Sequence, residues 1–339
     1  MQDIRLEQIR FWLKSLPKDL QLIPETLESA SSDASFRRYF RLQSRHSEHS
    51  SLIVMDAPPE KENILPFIQV AELFSEAGIL VPKIVHQNQE SGFLLLTDLG
   101  KSTYLSILTP QNAPSLYKDA ANSLIKMQLS STENRLPVYD LLLLQKELDL
   151  FPEWFLNKHL GYSLNSKEND SLKQVFKILL ENISAQPKVY VHRDFHSRNL
   201  MHTEKNNPGI LDFQDAVFGP ITYDLASLLR DAYIEWDEET QLDYVVRYWE
   251  SARKVGLPVR ADFSEFYKDF EWMGLQRHLK VLGIFARLYH RDGKPSYVND
   301  LPLVLKYTRK VAERYSAFKP LVRILDSAQH IQRPEGFTF

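Results

Sequence analysis

The chain has 339 residues, of which 43% are hydrophobic and 25% charged, and its net charge at pH 7 is −3. This is the composition of an ordinary globular protein, and the length favours two domains over one. A pI near 6.4 gives no basic surface of the kind that binds nucleic acid. The chain contains no cysteine, which excludes disulfides, thiolate metal sites and a cysteine nucleophile.

The N-terminal segment MQDIRLEQIRFWLKSL is charged throughout and lacks the apolar stretch and cleavage site of a signal peptide. Its apolar residues have the spacing of an amphipathic helix. No segment approaches the roughly 18 apolar residues of a membrane span. We therefore expect a cytoplasmic protein that has no membrane, nucleic-acid or protein partner.

The first hundred residues are rich in predicted strands. These strands lie at 36–42, 51–58, 82–87 and 92–99, and one helix is predicted at 64–77, ending at Gly78. From about residue 110 the spacing is helical, with candidate helices at 114–130, 138–160, 168–184, 222–234, 238–255, 262–288 and 300–326. The pattern indicates an α+β protein with a boundary near Asp98–Lys101.

The stretch YVHRDFHSRNLMHTEKNNPGILDFQD (190–215) interrupts the helices and carries the most informative polar residues. A short apolar strand leads into a loop with Asp194 and Asn199, and a predicted hairpin separates this loop from Asp212. Phosphoryl transfer needs a nucleotide-bound Mg²⁺ and an oriented acceptor hydroxyl. Mg²⁺ prefers oxygen ligands, which Asn199 and Asp212 supply, and Asp194 can accept the hydroxyl proton. The hairpin is the reason these residues can meet.

These residues carry a resemblance. The run HRDFHSRN matches the protein-kinase catalytic loop H-R-D-x-x-x-x-N, and the Asp-Phe pair at 212 matches the start of D-F-G. The segments LDFQDAVFGPITYDLASLLRD, GLQRHLKVLGIFARL and RDGKPSYVNDLP resemble the aminoglycoside phosphotransferase and choline kinase superfamily, in particular the bacterial anomeric kinases of N-acetylmuramate and N-acetylglucosamine. The resemblance implies a bilobal protein-kinase-like fold, with a nucleotide-binding lobe (1–97) and a catalytic and substrate-binding lobe (98–339).

The resemblance also implies the cofactors ATP and Mg²⁺ and a role for each motif residue. Asp194 is the catalytic base or orienting group, and Asn199 and Asp212 are the Mg²⁺ ligands. His196 lies where it can donate a hydrogen bond to the transferring phosphoryl group, or brace the loop. Other polar residues of the region are expected to contact phosphate or substrate, or to support the structure: Arg193 and Arg198 as contacts or salt bridges, His192 as a brace of the loop, and Asp224 as a helix cap or a brace of the loop.

Two features depart from the kinase pattern. Protein kinases place a Lys on the third strand, but the corresponding segment LIVMDAP has no Lys, and Met55 stands near that position. The Gly-rich phosphate loop is replaced by SSDASF, whose hydroxyls and backbone amides at Ser31, Ser32 and Ser35 are the candidate phosphate cradle. Either Arg37 or Arg38 is expected to supply the missing positive charge, because strand periodicity allows only one of them to face the nucleotide.

Two further binding regions are expected by analogy with kinases. The adenine edge should bond backbone groups of the connector Thr97-Asp98-Leu99, between apolar contacts from Val54 and Met201. The acceptor pocket should come from the helical half, where four aromatic or polar side chains are candidates: Glu153, Trp154, Arg277 and His278. An amphipathic helix gives the same pattern for packing reasons, so both interpretations stay open.

Other functions compete with a sugar kinase. A zinc site from His192, Asp194, His196 and His202 would need a helical His pair, whereas YVHRDF predicts a strand entering a loop. A protein kinase would need a longer activation segment and an A-P-E motif. A kinase of an aminoglycoside, choline, homoserine or another sugar is the strongest alternative. A catalytically silent nucleotide-binding module is favoured by the missing strand Lys and opposed by Asp194.

Overall fold

The structure, a computed structural model, describes residues 3–32, 36–47 and 50–331, and for Ser31 and Ser32 it describes the backbone alone. The α-helices are α1 (Ile4–Ser15), α2 (Leu65–Glu76), α3 (Tyr104–Ile107), α4 (Ala113–Leu129), α5 (Leu141–Leu148), α6 (Ser166–Ser184), α7 (Tyr223–Leu229), α8 (Glu238–Lys254), α9 (Phe263–His290), α10 (Leu301–Arg314) and α11 (Lys319–Ala328). None of the helices in this described part has the length and apolar composition needed to cross a membrane.

The β-strands are short and belong to separate sheets. They are β1 (Leu22–Ser32), β2 (Arg38–Ser44), β3 (Ser51–Asp56), β4 (Ile84–Asn88), β5 (Phe93–Thr97), β6 (Lys188–Val191), β7 (Leu200–Met201), β8 (Gly209–Ile210) and β9 (Val217–Pro220). The first five strands form one antiparallel sheet in the order β1-β2-β3-β5-β4, whereas β6 pairs with β9 and β7 pairs with β8. A strand-rich N-terminal part followed by helices confirms the expected α+β class.

The residues group into two compact units. The first unit consists of Met1–Met127 with Arg198–Asp215, and the second of Gln128–Ser197 with Ala216–Phe339. The division into a nucleotide-binding lobe that ends at Thr97 and a catalytic lobe that follows it stays a prediction. The compact units differ from those lobes, because the first unit continues beyond the sheet and includes the β7–β8 hairpin.

One face of the five-stranded sheet packs against α1. The apolar side of α1, with Ile9, Trp12 and Leu13, contacts a buried cluster on the strands that comprises Leu42, Leu52, Val54, Phe93 and Leu95. Because successive side chains of a strand point to opposite faces, Ile53 and Met55 lie on the other face of β3. The sheet therefore has one face covered by α1 and an opposite face that carries Ile53 and Met55.

The β7–β8 hairpin is held within the first unit by backbone contacts. Gly209 forms a parallel bridge with Leu80, and Met201 forms an antiparallel bridge with Thr103. A Cβ atom at position 209 would lie 2.8 Å from Leu99 Cδ1, so a larger residue there would require the Leu99 side chain to shift. The predicted pair of short strands joined by a turn is thus confirmed.

Helix α9 is the central element of the second unit, and nearly all of its residues between Phe266 and Leu288 are buried. It packs against a π-helix at Phe151–His159 and against α7 and α10. A Cβ atom at Gly283 would lie 2.5 Å from the backbone of Leu150, so glycine allows the two elements to come close. This unit carries α5 to α11 and the two-stranded β6–β9 sheet.

Candidate active site

The β7–β8 hairpin places Asn199 and Asp212 side by side in the first unit. The Leu211 amide donates a 2.9 Å hydrogen bond to the Asn199 carbonyl, which closes the base of the hairpin. Asn199 Nδ2 lies 3.5 Å from Asp212 Oδ2, and Gln214 Nε2 donates to Asp212 Oδ1 at 2.7 Å. The pair presents an amide and a carboxylate, which are the oxygen donors that a divalent cation takes together with nucleotide phosphates.

No group of three or more His, Asp or Glu side chains suited to a metal ion occurs among residues 3–32, 36–47 and 50–331. A nucleotide-bound Mg²⁺ does not need one, because phosphate oxygens and water complete its coordination. Asn199 and Asp212 therefore fit a cation that arrives with a nucleotide. Coordination by Asn199 would require its amide oxygen, and not Nδ2, to face Asp212.

Phe213 fixes the backbone next to Asp212. Its side chain is fully buried, and its ring lies 4.7 Å from the ring of Phe67 and 6.1 Å from that of Phe74, both on α2. Asp212 itself has φ of +61°, a left-handed conformation that non-glycine residues rarely adopt. Such strained residues persist where the surroundings hold them, commonly at functional sites.

In the second unit, Asp194 lies on a loop that leaves β6 and is held at its beginning by Asp224. The carboxylate of Asp224 accepts backbone hydrogen bonds from His192 at 2.6 Å and from Arg193 at 3.0 Å. His192 Nδ1 in turn accepts from the Asp194 amide at 3.2 Å. The bracing roles predicted for His192 and Asp224 are therefore confirmed. The loop also contains Arg193 at φ of +77°.

The end of the same loop is held by Asp231, a residue that the sequence analysis did not single out. Asp231 Oδ2 accepts from the Ser197 amide at 3.0 Å and from Ser197 Oγ at 2.5 Å. Next to it, the ring of His196 meets the ring of Tyr233 edge-on, with 5.5 Å between the centroids. The Asp194 loop is thus braced on both sides by buried carboxylates.

Asp194 is partly exposed and surrounded by positive charge. Burial alone raises its pKa, but the charges of Lys280, His196, Arg277 and Arg193 outweigh burial and hold the pKa below its ordinary value. Asp194 is therefore a carboxylate at neutral pH, able to accept a hydrogen bond from an acceptor hydroxyl.

Two of these cations are held by Glu147, a buried residue of α5 that the sequence analysis missed. Glu147 Oε1 lies 3.0 Å from Lys280 Nζ and 2.5 Å from Arg193 Nη2, and Tyr139 donates its hydroxyl to Oε2. Burial raises the pKa of Glu147, but the charges of Lys280 and Arg193 outweigh burial and hold the pKa below its ordinary value. Glu147 is therefore ionised. The available sequence signal was a charged residue within an apolar run: Glu147 in LLLLQKEL and Lys280 in HLKVLG.

Asp224 has an unusual titration. Its side chain is fully buried, and burial raises its pKa to about 7 against the two backbone amides that favour the charged form. The charge of Asp194 raises this pKa further, and that of Arg277 lowers it. The brace of the loop therefore changes charge near neutral pH.

The predicted nucleotide contacts fare differently. Val54 is fully buried in the cluster against α1, so its predicted contact with adenine is wrong: the contact was assigned to the face of β3 that packs on α1.

Met201 is 5% exposed and Leu99 packs beside Gly209. The Thr97 amide already donates to the Lys83 carbonyl at 2.9 Å. By contrast, no described residue hydrogen-bonds to the backbone of Leu99, which leaves it able to pair with a base.

Arg38, the predicted substitute for the strand Lys, is engaged by carboxylates. Its Nη2 lies 2.6 Å from Asp56 Oδ2, and its Nη1 pairs with Asp3. Arg37 Nε lies 4.0 Å from Glu62. The side chain of Ser32 and all of Ser35 lie outside the described residues, so the phosphate cradle stays a prediction, as does the contribution of either arginine.

The predicted acceptor residues divide into accessible and buried ones. Glu153 is exposed and Trp154 partly exposed on the π-helix, and Arg198 is exposed. His278 is fully buried, with its ring stacked on Tyr307 at 5.2 Å and Nε2 at 3.1 Å from the Arg230 carbonyl. Burial lowers the pKa of His278 to about 3. The predicted substrate contact of His278 is therefore wrong, and this residue belongs to the packing of α9 on α10.

The fold and the motif residues define a kinase-like phosphotransferase, and the chain belongs to the phosphotransferase enzyme family, which it matches over residues 26–263. An N-acetylmuramate/N-acetylglucosamine kinase of Neisseria meningitidis serogroup B is 47% identical over 337 residues, covering 98% of each chain. A kinase of the same name from Pseudomonas aeruginosa is 44% identical over 332 residues, covering 96% of this chain and 97% of the relative.

A solved structure shows the same fold at low identity. The amicoumacin kinase hAmiN in complex with AMP-PNP and Ca²⁺ superimposes with a TM-score of 0.61 at 14% identity, covering 93% of this chain and 98% of that one. The resemblance to the superfamily and the expected kinase-like fold are therefore confirmed. The chain is therefore a phosphotransferase of this family.

Proposed function

We propose that this enzyme transfers the γ-phosphoryl group of ATP to the anomeric C1 hydroxyl of N-acetylmuramate or N-acetylglucosamine. The observation that carries the proposal is the near full-length identity to the two relatives named for these sugars. The proposed reaction consumes ATP, so we place it in the cytoplasm, where it would return cell-wall sugars to metabolism.

The residues divide the proposed chemistry between them. Mg²⁺ bound with ATP would neutralise the β- and γ-phosphates, and Asn199 and Asp212 are the residues proposed to hold it. Asp194 orients the C1 hydroxyl and accepts its proton, because its pKa is low enough for a carboxylate at neutral pH. Positioning of the two reactants supplies most of the rate, and no covalent phosphoenzyme is required.

The Asp194 loop argues against a catalytically silent module. A protein that only binds nucleotide has no need of a carboxylate kept ionised by Lys280, His196 and Arg277 and braced by Asp224. Both relatives are kinases named for amino sugars, which favours amino sugars over the other acceptors of the superfamily. We therefore retain the amino-sugar kinase as the single proposed function.

The test is ADP release with Mg·ATP against N-acetylmuramate, N-acetylglucosamine, kanamycin, choline and homoserine. We expect turnover of the two amino sugars, with an acid-labile 1-phosphate as product. Asp194→Asn should lower kcat by about 10²–10⁴-fold, the usual contribution of a general base. Asp243→Asn is the matched control, because Asp243 lies on α8 in an exposed pair with Arg247. Turnover of another acceptor alone would contradict the substrate assignment.

A further inference from the structure

Arg277 differs from the other buried cations of the protein. Three cationic side chains in the described part of the chain are more than nine-tenths buried: Arg230 at 2%, Arg277 at 4% and Lys280 at 8% exposure. Arg230 pairs with Glu271 at 2.8 Å, and Lys280 pairs with Glu147 at 3.0 Å. Arg277 makes no ion pair and no hydrogen bond with any described residue, and its Nη1 is buried without a partner.

An unpaired buried guanidinium is costly, because the transfer of a charge out of water is repaid only by a close counter-charge and hydrogen bonds. Proteins accordingly pair their buried charges, as this one does at Arg230 and Lys280. The five donors of Arg277 are thus available to an anion that is not part of the described chain. The burial of this guanidinium is best explained by a ligand whose oxygen atoms accept its hydrogen bonds.

The position of Arg277 identifies where that anion sits. Arg277 lies on α9 three residues before Lys280, and Lys280 shares Glu147 with Arg193, the residue next to Asp194 in the loop. In agreement with this position beside the carboxylate proposed to hold the acceptor hydroxyl, its positive charge lowers the pKa of both Asp194 and Asp224. The neighbouring cations Arg193 and Lys280 both pair with Glu147. Arg277 is therefore the cation next to Asp194 whose donors remain uncommitted. The lactyl carboxylate of N-acetylmuramate is attached at C3, away from the reacting C1 oxygen.

We propose that Arg277 binds the phosphoryl group on its way to the acceptor oxygen and holds it on the sugar 1-phosphate, an inference that rests on the proposed function. In this step the bond between the C1 oxygen and phosphorus forms while the bond between phosphorus and the β,γ-bridging oxygen breaks. The electron pair of the broken bond leaves with ADP, and the hydroxyl proton passes to Asp194. Arg277 takes no part in the proton transfer.

A guanidinium suits this role better than an ammonium. Its planar fork can donate two parallel hydrogen bonds to two phosphate oxygens, and it remains charged next to other cations. Binding the phosphoryl group near Asp194 also offsets the repulsion between that carboxylate and the anionic product. The interaction is made with the transferring group and not with the free sugar, so it lowers the barrier and leaves ground-state sugar binding unchanged.

The experiment compares wild-type enzyme with Arg277→Gln, Arg277→Lys and the control Arg247→Gln, which removes an exposed arginine of α8. We measure kcat and KM for both amino sugars and, by calorimetry, the affinities for N-acetylglucosamine and N-acetylglucosamine 1-phosphate. Arg277→Gln should lower kcat by about 100-fold on both sugars, as removal of a transition-state donor does. KM for the free sugars should stay within about 3-fold, as expected when an interaction is made only in the transition state.

Arg277→Gln should also weaken binding of the 1-phosphate by at least about tenfold, the value of one charge-assisted hydrogen bond, and leave free-sugar binding unchanged. Arg277→Lys should recover part of both losses, and Arg247→Gln should match wild type. An unchanged kcat would overturn the inference. So would a loss confined to N-acetylmuramate, which would assign Arg277 to the lactyl carboxylate, or a lower melting temperature with equal loss of both ligands. Wild-type enzyme inactive on both sugars would overturn the proposed function and this inference with it.

Discussion

At the scale of single residues, Glu147 shows how one buried carboxylate organises the loop that carries Asp194. It is 6% exposed and pairs with Lys280 and Arg193 while accepting the hydroxyl of Tyr139. Removal of one partner of a buried ionic network leaves the others as uncompensated charges, which costs more than the network itself contributes. Glu147 is thus a positioning residue that acts through the two cations beside Asp194.

Glu147→Gln should lower the free energy of unfolding by about 3 kcal/mol, because Lys280 and Arg193 would remain buried without an anion. We also expect a lower kcat with little change in KM for ATP, since the nucleotide ligands are proposed elsewhere. Urea unfolding and steady-state kinetics measure the two effects. Glu250→Gln, an exposed change on α8, is the control. Equal stability of the two variants would contradict this account of Glu147.

The raised pKa of Asp224 predicts that the free energy of unfolding depends on pH. Its pKa is near the usual 4 in the unfolded chain and about 7 in the folded protein, so unfolding between these values releases a proton. The contribution of Asp224 is fully present below pH 4 and is lost as pH rises through 7. The loss amounts to about 4 kcal/mol at most, from about 1.4 kcal/mol per pKa unit.

The matched variant is Asp224→Asn, which keeps an acceptor for one backbone amide but cannot ionise. Measured by urea unfolding from pH 5 to pH 8, wild type should lose stability relative to Asp224→Asn as the pH rises. Parallel curves for the two proteins would show that Asp224 does not titrate in this range.

At the scale of elements, helix α2 and the segment after β8 form a clamp through aromatic rings. Phe213 is fully buried between Phe67 and Phe74, directly after the proposed cation ligand Asp212. Truncation of a buried Phe removes packing and opens a cavity. The helix therefore contributes to the position of a carboxylate to which it is not adjacent in sequence.

Phe213→Leu should raise KM for Mg·ATP and leave KM for the sugar unchanged, because the clamp holds Asp212 and not Asp194. Phe266→Leu is the control: Phe266 is equally buried in the second unit, where it stacks on Tyr248 at 6.0 Å. It should cost similar stability without affecting nucleotide binding. Steady-state kinetics with varied Mg·ATP measure the difference, and an equal KM for the two variants would exclude the clamp.

Elements with a strong hydrophobic period were predictable from sequence, and those defined by their partners were not. Strand β1 was missed because LIPETLESASS is polar and contains Pro24, features that an edge strand with one hydrogen-bonded neighbour tolerates. The single helix expected at 138–160 divides into α5 and the π-helix, where Pro152 removes a backbone donor. The helix expected at 222–234 ends at Leu229, and Asp231 beyond it binds the catalytic loop instead.

The site follows the same division. The loop Asp194 to Asn199 and the position of Asp212 were predictable, because a motif and a hairpin fix them locally. Val54 and His278 were assigned wrongly, since the face of a strand and the depth of a helix depend on what packs there. Glu147 and Lys280 were missed because their relation is a contact between α5 and α9, and no spacing in the sequence encodes it.

At the scale of the whole molecule, the chain does not complete one compact unit before it begins the other. It leaves the first unit after Met127, returns at Arg198 and leaves again after Asp215. The returning segment contains both proposed cation ligands, and the loop that precedes it carries Asp194. The short run from Asp194 to Asn199 is therefore the covalent connection between the two sets of proposed catalytic residues.

This path has an evolutionary consequence. No single contiguous stretch of the gene encodes the first unit, since residues 198–215 complete it from within the sequence that encodes the second. Recombination cannot then exchange the first unit as one segment without also carrying the loop from Asp194 to Asn199 or severing it. Divergence on this scaffold would have to proceed by point substitutions and loop changes within each unit, with the hairpin inherited together with the second unit's sequence.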